Sequence, residues 1–169
     1  MNFKHRTILF LSCIALLSCS GSQKKESNTL KEESSVQPPK EIQQAVVELT
    51  VKAVGETMME IAFEPKILSI PANSMVKLLF KNESSSAGML HNFVLVELGS
   101  GQEIATKGIK AGKEKQFVPN DQRVIMYTKV LDMGEETIVE FKAPSKGSYH
   151  FICTFPGHFP NMIGRFNVE

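Results

Sequence analysis

The chain has 169 residues, 42% of them hydrophobic and 22% charged, which suits one folded domain with short appendages. Lys and Arg total 19 against 18 Asp and Glu, a formal charge of +1, so there is no field to hold nucleic acid or an anionic surface. The densest group of cations, Lys107, Lys110, Lys113 and Lys115, is interrupted by Glu103 and Glu114 and reads as a solvated loop.

The N-terminus reads as an export signal. Lys4 and Arg6 precede an apolar run over residues 7–17. A bilayer-spanning helix takes about 20 apolar residues, so this run is too short to be one. It ends in Leu16-Leu17-Ser18-Cys19, which resembles the lipobox of bacterial lipoproteins. Residues 1–18 are therefore expected to be a lipoprotein signal peptide, and Cys19 to carry lipid on its sulfur and become the new N-terminus. Cleavage before Cys13 would leave too short an apolar stretch. The competing reading is an ordinary signal peptide with an incidental cysteine. Ser20, after the lipidated cysteine, points to the outer membrane, with the domain in the periplasm or at the cell surface. With Cys13 removed and Cys19 acylated, Cys153 is the one free thiol of the three cysteines, and no internal disulfide can form. A lone thiol in an oxidising compartment must be buried or hold a metal.

Residues 19–45 read as the lipidated cysteine and a disordered tether. They are rich in Ser, Gln, Lys, Glu and Pro, with too few apolar side chains to offset the entropy of ordering. From Val46 the hydrophobic period becomes two. Val47, Leu49, Val51 and Ala53 alternate with Glu48, Thr50 and Lys52. Val76, Leu78 and Phe80 form a second run, and His91-Asn92-Phe93-Val94-Leu95 reads as the start of a third. Residues 99–117 alternate poorly and suggest one short helical insertion. Val139 and Phe141, then Tyr149, Phe151 and Cys153, then Phe166 and Val168 complete the strands. Pro65, Pro71, residues 82–88, Pro119 and residues 144–147 break the runs. Short strands at this spacing predict an all-β sandwich over residues 46–169.

The chemistry gathers near the C-terminus. Cys153, His158 and Met162 place a thiolate, an imidazole and a thioether in one short loop. Soft sulfur with imidazole selects copper or zinc over hard cations, and two His, one Cys and a weak axial Met make a blue-copper electron-transfer set. The second His must come from His5, His91 or His150. His5 lies in the signal, and His150 is out of phase with Cys153 along its strand. His91, at a strand start beside a loop, remains.

Cys153-Thr154-Phe155-Pro156-Gly157-His158 with Met162, preceded by Gly88-Met89-Leu90-His91-Asn92-Phe93-Val94-Leu95, closely resembles the azurin family of blue-copper proteins. The segment over residues 121–129 is similar too, and the resemblance covers nearly all of residues 46–169. It implies a Greek-key, cupredoxin-like β-sandwich holding one type 1 copper. His91, Cys153 and His158 would be equatorial ligands and Met162 the distant axial one, with the backbone carbonyl of Leu90 as a second, weaker axial contact. Asn92 would tie the two ligand loops together. The backbone N–H of Phe155, with that of Asn92, would donate to the Cys153 sulfur. The family usually has Gly where Leu90 stands, and smaller or more flexible residues where Phe159 and Pro160 stand. Its disulfide cysteines are absent, and Phe93 replaces its core Trp.

The resemblance implies a carrier of single electrons rather than an enzyme. Its partners would be redox proteins such as cytochromes or reductases, docking transiently on an apolar rim of Met89, Leu90, Ile109, Pro156, Phe159 and Pro160. In this reading the far edge of His158 reaches the surface. The alternative is a periplasmic copper-storage or delivery module, which the scatter of the other methionines does not favour. A copper enzyme of the nitrite-reductase type would need a second set of histidines, and the sequence has none.

Overall fold

A computed structural model describes residues 46–169. The expected signal peptide, the lipidation at Cys19 and the tether lie outside the described residues.

Nine strands and one helix make up the domain. In chain order they are β1 (Val46–Val54), β2 (Ala62–Glu64), β3 (Ile67–Ile70), β4 (Met75–Asn82), β5 (Val94–Glu97), α1 (Gly101–Ala111), β6 (Val124–Tyr127), β7 (Glu136–Lys142), β8 (Gly147–Ile152) and β9 (Ile163–Val168). They form two sheets, β2-β1-β4-β7 and β3-β9-β8-β5-β6. Most neighbours are antiparallel, but β1 lies parallel to β4 and β3 parallel to β9. The fold is thus the β-sandwich with one short helix that the sequence predicts.

The alternation explains which faces are inside. Val51 and Ala53 of β1, Val76, Leu78 and Phe80 of β4, Phe151 of β8, and Phe166 and Val168 of β9 are buried together between the sheets. At the centre Phe93 stacks on Phe151 with centroids 4.9 Å apart, and Phe63 meets Phe151 edge-on at 5.2 Å. Gly164 faces this cluster because a Cβ there would lie 2.1 Å from the Phe151 ring. The outer face of the second sheet is covered as well. Val94, Val96 and Ile152 pack against Ile104 and Ala105 of α1, with Val118, and Phe159 joins them. β5 is buried on both faces for this reason, a pattern without alternation.

Two details differ from the sequence reading. The strands β2 and β3 fall on either side of Pro65 and are three and four residues long, too short for periodicity to reveal. His91 does not open β5. It makes an isolated bridge to Leu131, with N–H···O bonds of 3.1 and 2.7 Å in the two directions. Phe93 then pairs with Thr128, so the segment follows the β6–β7 connection before it joins the sheet at Val94.

Candidate metal centre

Three segments meet at one end of the sandwich. The first carries His91 and is held from both sides. The buried amide of Asn82, the last residue of β4, donates to the carbonyls of Met89 (2.7 Å) and Leu131 (3.2 Å). Its oxygen accepts the N–H of Ser84 at 3.1 Å. Thr128 Oγ1 accepts the Phe93 N–H at 3.0 Å and donates to the Lys129 carbonyl at 2.9 Å. A buried backbone with all its polar groups paired has little freedom, so the His91 side chain points one way.

The second segment is the loop after β8. Cys153 N–H donates to the Met162 carbonyl at 3.1 Å, and Met162 N–H to the His158 carbonyl at 2.9 Å. His158 N–H reaches back to the carbonyl of Phe155 at 3.1 Å. The loop therefore closes on itself, and its two ends stand side by side.

Asn92 joins the segments. Its oxygen accepts the N–H of Thr154 at 2.9 Å, and its amide donates to Thr154 Oγ1 (2.9 Å) and to the Gln116 carbonyl (2.9 Å). Gln116 belongs to the third segment, the connection from α1 to β6. Its side-chain oxygen accepts the Val130 N–H at 2.7 Å. Asn82 and Gln116 carry no motif in the sequence, and Thr128 lies in the family-like segment over residues 121–129 with no role read from it there. Their roles come from long-range pairing, and Asn82 reads there as a mere strand breaker.

The result brings His91, Cys153 and His158 together, with one donor atom of each within 4.8 Å of the others. His158 Nδ1 lies 3.1 Å from His91 Nδ1 and 3.5 Å from Cys153 Sγ. Donors bound to one ion at about 2.0–2.3 Å stand this far apart. All three residues are buried, His91 and Cys153 completely and His158 with 2% of its surface exposed. His158 is therefore nearly enclosed, although it is the less sealed of the two imidazoles; the expected surface edge is slight.

The electrostatics fit a metal too. Burial, and secondarily the neighbouring His158, push His91 down to about 4, and burial alone does the same to His158. Both rings are neutral at pH 7 and have lone pairs to give. Burial pushes the Cys153 thiol up to about 12, opposed by hydrogen bonds from the backbone N–H groups of Asn92 and Phe155. His91 Nε2 is buried with no partner among the described residues. A ring turned to satisfy its own hydrogen bonds would not leave that atom bare. Its other nitrogen is instead aimed at the shared space between the donors. Two neutral imidazoles and a sulfur that becomes a soft thiolate on losing its proton to a bound metal, already convergent, fit copper.

Met162 is fully buried beside this set, and Leu90 is half-buried immediately before His91. His150 pairs across the sheet with Val96 and Arg165, and is not among the clustered donors. Of the expected rim, Pro156 and Pro160 are exposed and Ile109 is 52% exposed. Met89 is partly buried against the main core. Phe159 turns inward, packing on the second core close under Gly101 of α1. Met58, which no motif marks, lies beside the ligand loop. Its carbonyl accepts from Asn161 Nδ2 at 2.7 Å, and its methyl group lies 3.2 Å from where a Gly157 Cβ would stand.

Residues 49–169 match the model of the copper-binding proteins of the plastocyanin/azurin family. Auracyanin-A of Chloroflexus aurantiacus is 38% identical over 119 residues, covering 69% of this chain and 72% of that protein. Azurin iso-2 of Methylomonas sp. is 36% identical over 132 residues, 74% of this chain and 99% of that protein. Among solved structures, auracyanin A, described as a blue copper protein, superposes with a TM-score of 0.67 at 34% identity, covering 74% of this chain and all of that one. Dithionite-reduced auracyanin of Roseiflexus castenholzii gives a TM-score of 0.66 at 31% identity, covering 74% of this chain and 98% of that one.

Proposed function

The chain belongs to the plastocyanin/azurin family of copper-binding proteins, and on that premise we propose that its centre works at the end of a lipid tether, passing electrons between redox proteins that dock at the rim of the ligand loop. Family membership makes the protein a blue-copper carrier of single electrons rather than an enzyme. The observation that carries this function is the buried convergence of His91, Cys153 and His158.

Copper, when bound, supplies a one-electron Cu(II)/Cu(I) couple. The protein's task is to keep its donors still while the charge changes. His91 is fixed by its bridge to Leu131, and Cys153 and His158 by the closed loop through Met162. Asn92 locks one to the other. Burial excludes water that would otherwise rearrange around the centre. N–H donors on the Cys153 sulfur withdraw electron density from it and tune the couple. Met162 would offer a weak thioether donor, and the Leu90 backbone a carbonyl oxygen, to a bound copper. The burial of Met162, and its backbone bonds to both Cys153 and His158, support this role.

Electrons enter and leave at His158, the less enclosed imidazole. Cytochromes or reductases dock on Ile109, Pro156 and Pro160, with Met89 and Phe159 supporting from beneath; such contacts are small and release quickly. Cys19 anchors the domain to the outer membrane, and residues 20–45 give it reach.

The deciding experiment is the visible spectrum of the full-length protein titrated with Cu(II), beside Cys153→Ser. An intense thiolate-to-copper band in the parent alone, bleached by reductant and restored by oxidant, is expected. A colourless complex would leave copper storage or delivery as the function. The tether has its own test: acyl mass on Cys19 in the membrane fraction, lost in Cys19→Ala. A mature N-terminus elsewhere, without lipid, rules the anchor out.

A further inference from the structure

The α1–β6 connection makes an unusual approach to the ligand loop. Gln116 and Phe117 both have left-handed backbones, with φ of 55° and 56°. Two consecutive non-glycine residues in this region are rare because the left-handed backbone crowds a side chain, so the surroundings must hold them there. The holding groups are visible. Gln116 N–H donates to the Lys113 carbonyl at 2.8 Å, and Phe117 N–H to the Gly112 carbonyl at 3.0 Å. Gln116 contacts Asn92 and Val130 through its backbone and side-chain oxygens. The Phe117 carbonyl is seated against Gly108 of α1, where a Cβ would lie 2.4 Å from that oxygen and 3.2 Å from Thr154 Cβ. Helix, connection and ligand loop therefore meet at a residue that must lack a side chain.

The strained turn delivers the ring of Phe117. It meets Phe155 nearly perpendicular, at 78° with centroids 5.2 Å apart. Phe155 in turn packs on the His158 imidazole at 4.9 Å. The backbone N–H of Phe155 is one of the two donors to Cys153 Sγ. On its outer side Phe155 borders an open cleft of about 450 Å³, lined also by Leu90, Phe117 and Val130. Nothing among the described residues fills that cleft, so Phe117 is the aromatic wall that limits outward movement of Phe155.

We propose that Phe117 is a positioning residue for the copper centre: held left-handed against Gly108, it braces Phe155 and so fixes both the N–H donated to the Cys153 sulfur and the ring packed on His158. The helical insertion thereby acts on the centre without contributing a ligand. The sulfur hydrogen bond draws electron density from the thiolate, and that density stabilises the more positive Cu(II) more than Cu(I). Loosening Phe155 weakens the hydrogen bond and shifts the balance toward Cu(II).

The test compares the parent full-length protein with Phe117→Ala, Phe117→Leu and Phe117→Tyr. In Phe117→Ala the ratio of Cu(I) to Cu(II) affinity is expected to fall about fivefold, a lowering of the reduction potential by about 41 mV at 59 mV per tenfold. The tyrosine keeps the ring and is expected to restore the parent value. The leucine keeps apolar bulk but no aromatic edge; it should follow the alanine, and carries the test if the alanine variant does not fold. A purely structural role for Phe117 predicts a lower melting temperature with an unchanged potential and spectrum, and that result overturns the proposal.

The proposal rests on the copper function, so a copper-free readout separates the two. Hydrogen exchange of the Phe155 backbone N–H in metal-free protein, followed by NMR at fixed pH, should run several-fold faster in Phe117→Ala than in the parent and return to the parent rate in Phe117→Tyr. A parent that takes no copper defeats the functional reading and leaves this comparison standing. Equal exchange rates for this N–H in the folded variants defeat the bracing.

Discussion

Replacing Asn92 with alanine should loosen the centre before it disturbs any ligand. Asn92 is fully buried, and its amide makes three hydrogen bonds of 2.9 Å across the two ligand segments and the α1–β6 connection. Thr154 is 1% exposed, so its backbone N–H has no water to turn to. An orphaned buried donor costs about 1–3 kcal/mol. The Gln116 carbonyl, in a partly exposed residue, can be hydrated and adds little. The void left by the amide contributes about 1 kcal/mol more. The total is about 2–4 kcal/mol. For a domain of about 120 residues, each kcal/mol lowers the melting temperature by about 4 °C, so the metal-free variant should melt about 8–16 °C below the parent. Differential scanning calorimetry reads this directly. Thr154→Ala removes the hydroxyl but keeps the N–H, and should cost about 1 kcal/mol. In a double-mutant cycle the pair should be non-additive by about 0.5–3 kcal/mol. An Asn92→Ala protein melting within 3 °C of the parent, or strict additivity with Thr154→Ala, would refute the idea that this amide joins the loops.

Other outcomes follow from the same geometry. Copper binding at pH 7 should release close to one proton, because the Cys153 thiol must ionise while His91 and His158 are already neutral; calorimetry in two buffers of different ionisation enthalpy counts it, and a value near zero would mean a preformed thiolate. The metal-free protein should lose stability on both sides of neutrality. The depressed His91 and His158 contribute stability that is present above about 6.5 and lost as pH falls through about 4, and Glu103, held down to about 2 by Arg123 and Lys107, adds a loss between 4.5 and 2. Cys153 has the opposite sign, its contribution present below about 9 and lost as pH rises toward 12; melting curves from pH 2 to 11 should trace a dome, and a flat profile from 7 to 4 would count against buried neutral imidazoles. Gly164→Ala drives a methyl into the Phe151 ring and should cost about 1–3 kcal/mol or more by chemical denaturation, while leaving the copper band in place. Ile109→Lys should slow electron self-exchange, read by NMR line broadening, about tenfold through like-charge repulsion at the rim, without changing the spectrum; unchanged exchange would remove Ile109 from the docking face.

Much of this protein is legible in the order of its residues. The period-two runs of β1, β4, β7 and β9 announce a sandwich because a strand with one wet face must alternate. Cys153, His158 and Met162 announce a metal because soft donors in one short loop leave few other readings, and elimination is enough to add His91. The α1–β6 insertion shows itself as a stretch that fails to alternate. These are local properties, written in spacing and side-chain chemistry.

Tertiary structure decided the rest. His91 precedes its strand instead of opening it, because its backbone partner, Leu131, lies forty residues away. Asn82, Gln116 and Thr128 support the centre through hydrogen bonds to segments distant in the chain, a role that spacing alone does not reveal. Phe159 looks like a rim residue in sequence, yet the outer face of β5 and β8 offers it a second core beneath α1. Met58 acquires a place beside the ligand loop only when β1 and that loop reach the same end of the sandwich. Ligand chemistry is carried by residue type and spacing, so one chain of letters suffices to read it. Ligand rigidity depends on which distant groups meet, and only the folded sandwich brings them together.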